Sequence, residues 1–143
     1  MSQVNPFHVA VPVHDLAECK TFYTELLDCK VGRESDHWID LDLMGHQFVL
    51  HLDPSLDPKT VKQHCNPVNG KQVPVPHYGV ILTLEHWKSL AEHLRQHKID
   101  FIIEPYIRFE GQPGEQATMF FMDPAGNALE FKAFADFSQI FAK

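Results

Sequence analysis

Residues 7–26, FHVAVPVHDLAECKTFYTEL, decide the fold when they are set beside residues 77–94. Phe7, Val9, Val11 and Val13 fall on one face of an alternating run and His8 and Ala10 on the other, which predicts a strand with one apolar face. Asp15 and Glu18 then form a D-x-x-E start signal, and Leu16, Cys19, Phe22, Tyr23 and Leu26 recur at helical spacing, so an amphipathic helix follows. Further on come short strands over 30–33, 37–44 and 46–52, the last two joined by a turn at Gly45. The order in this half is β, α, β, β, β.

The same order returns later in the chain. Residues 77–84 read as a strand, Leu84, Trp87, Leu90, Ala91 and Leu94 mark a helix to about His97, and Phe101 to Ile103 is the next strand. Residues 108–115 contain Gly111, Pro113 and Gly114 and read as a loop; strands over 117–122 and 128–134 flank the turn Asp123-Pro124-Ala125-Gly126. From strand start to helix start is 7 residues in the first half, His8 to Asp15, and 8 in the second, His77 to Glu85. From helix start to the last turn glycine is 30 residues (Asp15 to Gly45) and 41 (Glu85 to Gly126), the surplus falling in the 104–116 loop. Duplication is the simplest account. The expected fold is α+β, two βαβββ modules forming one curved mixed sheet around a cavity. Module one spans about 6–53 and module two 77–135, within a single domain over 1–143. The connection over 54–76 is rich in proline, with Asn69-Gly70 as a turn and a short helical turn near Lys59 to His64.

Bulk properties narrow the function. The 143 residues, 44% of them hydrophobic, are enough for one compact core. A net charge of -7 offers nothing to phosphate backbones or anionic lipid, so no nucleic acid and no membrane partner is expected. Cys19, Cys29 and Cys65 are odd in number and lack CxxC spacing, which fits reduced thiols in a cytoplasmic protein. The N-terminus has no basic export region, and no apolar stretch is long enough to span a bilayer.

Duplication also brings together residues distant in sequence. His8 opens the first strand of module one, His77 opens its counterpart, and Glu130 alternates with Leu129 and Phe131 in the last strand, so all three project toward the cavity. Taken singly, a histidine at a strand edge is more often a hydrogen-bonded surface residue, and a strand glutamate usually faces water. Two histidines at equivalent places in a repeat, with a carboxylate in an otherwise apolar strand, form instead a facial triad with open positions. Such a set suits Fe(II) and tolerates Zn, Mn, Ni or Co. The remaining histidines have structural readings: His14, His64, His86, His93 and His97 lie at helix faces, helix ends or the linker, and His37 and His46 at the cavity rim. Trp38 and Phe48 read as core or pocket wall.

Residues 8–33, HVAVPVHDLAECKTFYTELLDCKVGR, and 119–134, MFFMDPAGNALEFKAF, resemble the opening and closing segments of the vicinal oxygen chelate superfamily, which includes glyoxalases, bleomycin resistance proteins and extradiol dioxygenases. The resemblance covers nearly the whole chain. It implies metal ligands at His8, His77 and Glu130, a small-molecule substrate and a homodimer. Two departures bear on the activity. Aligning Gly45 with Gly126 sets Val49 opposite Glu130, where glyoxalase I has a fourth ligand, leaving His51 as a spare. The tyrosine of extradiol dioxygenases is matched by Phe120, and residues 111–115 contain no histidine. Tyr106 and Arg108 are candidates to replace these groups and, with Phe120, to bind substrate. The resemblance thus implies an Fe(II)-dependent, extradiol-type dioxygenase acting on a catechol-like or enediol substrate. Two alternatives stand beside it: a non-redox metalloisomerase or lyase of glyoxalase type, and a non-catalytic resistance protein that sequesters a ligand.

Overall fold

The computed structural model describes residues 4–143 and divides them into two compact units, one of residues 4–61 with 123–127 and one of 62–122 with 128–143. In the first, β1 (His8–Val13) leads into α1 (Leu16–Leu26), followed by β2 (Lys30–Glu34), β3 (Trp38–Leu43) and β4 (His46–Leu52). The Asp15 side chain caps α1 by accepting from the Glu18 N–H at 2.9 Å, as the start signal predicts. The four strands form a sheet in the order β1-β4-β3-β2, with β1 parallel to β4 and the other pairs antiparallel. Val11 and Val13 are buried with Leu41, Leu50 and the helix residues Cys19 and Tyr23. Phe7 departs from the expectation: it lies just before the strand and is 67% exposed.

The second unit begins with a hairpin, β5 (His64–Val68) and β6 (Lys71–Val75), turning at Asn69-Gly70. Only the turn was legible there; the helical turn expected near Lys59 is a plain turn closed by the Thr60 N–H on the Asp57 carbonyl. Then come β7 (Ile81–Leu82), α2 (Leu84–Gln96), β8 (Phe101–Arg108), β9 (Gln116–Met122) and β10 (Ala128–Phe134). Their order, β7-β10-β9-β8, repeats that of the first unit strand for strand, with β7 parallel to β10. The duplicated βαβββ reading is therefore borne out as an α+β fold with mixed sheets.

Two boundaries move. The regular strand expected over 77–84 shrinks to Ile81–Leu82, although Tyr78 bridges Leu129 in the same parallel register. Strand β8 runs on to Arg108 where the sequence reading stopped at Ile103; register shifts between Ile103 and Tyr106 absorb Pro105, which an edge strand tolerates because its missing N–H need not enter a ladder. On one face of this sheet Leu129, Phe131, Ala133, Met119 and Phe121 are buried, as are Trp87, Leu90, Ala91 and Leu94 of α2. The Trp87 indole N–H donates to the Phe131 carbonyl at 2.9 Å and ties helix to sheet. No helix among the described residues is long and apolar enough to cross a membrane.

Candidate metal centre and pocket

Alternation along β9 and β10 leaves Thr118, Phe120, Glu130 and Lys132 on the sheet face opposite α2. The chain enters this face through His77. Its successor Tyr78 binds β10 on both sides, its N–H donating to the Ala128 carbonyl at 3.1 Å and its carbonyl accepting from the Glu130 N–H at 2.7 Å. This lashing brings His77 Nε2 to 3.2 Å from Glu130 Oε1.

Each partner is held from behind. His77 Nδ1 lies 2.6 Å from the Pro74 carbonyl, which can only accept, so Nδ1 carries a proton and Nε2 is the nitrogen that faces Glu130. Thr118 Oγ1 donates to Glu130 Oε2 at 2.5 Å, leaving Oε1 turned to the imidazole. The Phe120 ring stands edge-on to His77 with centroids 5.0 Å apart and is itself buried. Two lone pairs 3.2 Å apart repel unless a proton or a cation lies between them. With a proton the pair is an imidazolium and carboxylate. With a metal at bonds of about 2.1 Å, two ligands at right angles stand about 3.0 Å apart, so the donor spacing fits a cation as well.

His8 belongs to the first unit, in register with Gln47 across β1 and β4. Its Nδ1 lies 2.6 Å from Gln47 Oε1, so here too Nε2 is left free, at an exposed position. Among the described residues, no three His, Cys, Asp or Glu side chains are grouped as a ready-made cation cage. Val49 is buried, and His51, one alternation along, is exposed. His46 is occupied, its Nδ1 accepting from the Phe7 N–H at 2.9 Å, which ties the chain entering β1 to the start of β4.

Around His77 and Glu130 lies a cavity of about 240 Å³, contained in the second unit and lined also by Tyr106, Arg108, Thr118 and Phe120. All three residues proposed from sequence to bind substrate, Tyr106, Arg108 and Phe120, therefore line one pocket. Tyr106 and Arg108 do so from β8 rather than from the glycine-containing loop, opposite Thr118 and Gln116 of β9. Sequence reasoning missed Thr118, although it shares a strand face with Phe120, and Lys71, because the hairpin read as a mere connection. Nothing in the sequence pointed to the Pro74 carbonyl.

Comparison with known proteins agrees with this architecture. A family model described as the glyoxalase/bleomycin resistance protein/dioxygenase superfamily matches residues 6–131. The solved structure of a glyoxalase/bleomycin resistance protein/dioxygenase from Alicyclobacillus acidocaldarius is 33% identical over 96% of this chain and 96% of that chain, with a TM-score of 0.75. An integron cassette protein from the mobile metagenome of a Halifax Harbour sewage outfall is 25% identical over 91% of this chain and 98% of its own, TM-score 0.66. A fosfomycin resistance protein from Listeria monocytogenes, 14% identical over 98% and 99% with a TM-score of 0.67, shares the fold. Among curated protein sequences none matches.

Proposed function

The chain belongs to the glyoxalase/bleomycin resistance protein/dioxygenase superfamily, and on that premise we propose that it is a metal-dependent, dioxygenase-like enzyme acting on a small substrate with two neighbouring oxygens. His8, His77 and Glu130 are the proposed ligands, and Fe(II) is the first candidate, with Zn, Mn, Ni or Co as substitutes. The observation that carries the reading is the His77 and Glu130 pair, two lone-pair donors 3.2 Å apart, each fixed from behind by the Pro74 carbonyl or the Thr118 hydroxyl.

A divalent cation bound there would supply Lewis acidity, and iron would add an electron route to oxygen. The chain's own residues supply the rest. Thr118 keeps the carboxylate oriented, Phe120 excludes water beside His77, and the Tyr106 hydroxyl offers a proton to a substrate oxygen. Phe120 also favours a second reading. With an aromatic carbon where a ring-cleaving enzyme has a hydroxyl, the pocket suits Lewis-acid isomerase or lyase chemistry on an enediolate.

We further infer a homodimer, because β2 and β8 end their sheets as open edges and relatives of this fold usually pair. Light scattering at twice 16.4 kDa is the expected result; a monomer at all concentrations overturns it. For the activity, the test is elemental analysis of anaerobically purified protein, followed by oxygen uptake with catechol. Stoichiometric iron with catechol-dependent uptake supports the dioxygenase. Zinc or nickel without uptake selects the non-redox enzyme, and protein that retains no metal overturns both in favour of ligand sequestration.

A further inference from the structure

The pocket that holds His77 and Glu130 has a second end with the opposite charge. Lys71, Arg108 and Lys132 all line it, against the single carboxylate of Glu130. This is a local excess of positive charge in a chain of net charge -7. Among the described ion pairs none involves these three cations. Each lies instead over an aromatic ring: Lys71 Nζ is 5.2 Å from the centroid of Tyr106, Arg108 Cζ 4.9 Å from Phe109, and Lys132 Nζ 5.5 Å from Phe134. A ring supports a cation's stem and attracts its charge weakly, but it does not neutralise it. Even Glu104, which borders a neighbouring groove with Lys71, makes no ion pair with it. Three like charges without a counterion repel one another, and a fold that keeps them together around a cavity leaves room for an anion from solution.

Strand register gives the layout. Glu130 pairs with Phe120 at one level of the sheet. Lys132, Thr118 and Tyr106 share the next, and Gln116 and Arg108 the last. From Phe120 to Gln116 is four residues, roughly 13 Å of strand. The cavity of about 240 Å³ lies near the small end of small-molecule pockets, roughly 300–1,000 Å³. That size suits a ligand of one ring or a short chain.

We propose that the pocket selects a small organic oxyanion, a carboxylate or a phosphonate, whose charge is held by Arg108 and Lys71 while its other end faces His77 and Glu130. Arg108 provides the paired N–H donors that match a planar or tetrahedral oxyanion; Lys71, on the β5–β6 hairpin, closes on it from the other side, and Lys132 adds charge between the two ends. The proposal deepens the reading of the metal centre and rests on it only for which end reacts.

The test separates the two. Calorimetric titration of the metal-free protein with benzoate, phenylphosphonate and the neutral benzamide probes the basic end alone. One of the two anions should bind at least tenfold more tightly than benzamide, and the tighter of them identifies the oxyanion. Lys71→Met, an exposed hairpin substitution, and Arg108→Met should each erase that preference, whereas Glu130→Gln, which removes the pocket's single carboxylate, should strengthen it. Equal binding of benzamide and both anions, or an anion preference unchanged in the Lys71→Met and Arg108→Met double variant, overturns the proposal. Loss of the metal reading would appear separately, as Glu130→Gln protein whose metal content equals that of the parent.

Discussion

A Cβ placed on Gly79 would stand 1.4 Å from the carbonyl oxygen of Glu130. The obstacle is backbone, which no side-chain rotation relieves, so the absence of a side chain at Gly79 is what lets the His77 segment lie against β10. Gly79→Ala should push the two chains apart and lower stability by more than the ~1–3 kcal/mol of ordinary overpacking. Urea denaturation measures the loss. A variant as stable as the parent would show that the segment approaches β10 less closely than described.

Metal affinity should follow the hydrogen bonds behind the ligands as well as the ligands. Glu130→Gln removes the charge that balances a divalent ion and should empty the site. Thr118→Val keeps shape while releasing Glu130 Oε2, and about tenfold weaker metal binding is expected. His86→Ala, on the exposed side of α2, is the control. If it lowers metal content as much as His77→Ala does, the assigned centre is wrong.

In the first unit the Tyr23 hydroxyl donates to the buried Asp123 carboxylate at 2.7 Å. Asp123 also accepts from the backbone N–H groups of Ala125 and Asn127 and from the Asn127 amide, each at 2.9 Å, so it organises the Asp-Pro-Ala-Gly turn. Tyr23→Phe removes one of four donors to a buried charge and should destabilise by about 1.5–3 kcal/mol. Equal denaturation midpoints for the two proteins would contradict this.

The cysteines predict both reactivity and pH dependence. Burial first, and then the carboxylates of Asp123, Glu18 and Asp15, push the Cys19 thiol from 9.0 up to about 12. Burial and then Asp42 and Asp28 do the same for Cys29. Only Cys65 is exposed, so a thiol reagent at pH 8 should titrate one group per native chain and three after denaturation. Because the folded values lie above the unfolded one, the stabilisation is whole below pH 9.0 and is lost as pH rises toward about 12. Each thiol contributes a slope of about 1.4 kcal/mol per pH unit in that window. Cys29→Ala should flatten the decline between pH 9 and 11; an identical slope would mean that Cys29 is solvated in the fold.

By itself the sequence determined the repeat. Alternation and helical spacing are local properties of Val9, Val11 and Val13 or of Trp87, Leu90 and Leu94, so the βαβββ order of each half and the helix starts at Asp15 and near Leu84 could be read without long-range knowledge. The same periodicity put Glu130 on the polar face of its strand. What only the tertiary structure decided depends on contacts between residues far apart in the chain. Pro105 sits inside a strand because β8 is an edge with a bulge, and this carries Tyr106 and Arg108 onto the sheet. The hairpin over 64–75 brings Lys71 over Tyr106, although its residues carry no alternation of their own. The Pro74 carbonyl fixes the tautomer of His77, and a backbone oxygen leaves no mark in composition or spacing. The sequence could nominate His77 and Glu130; their 3.2 Å separation comes from Gly79, whose lack of a side chain acquires meaning only against the backbone of β10.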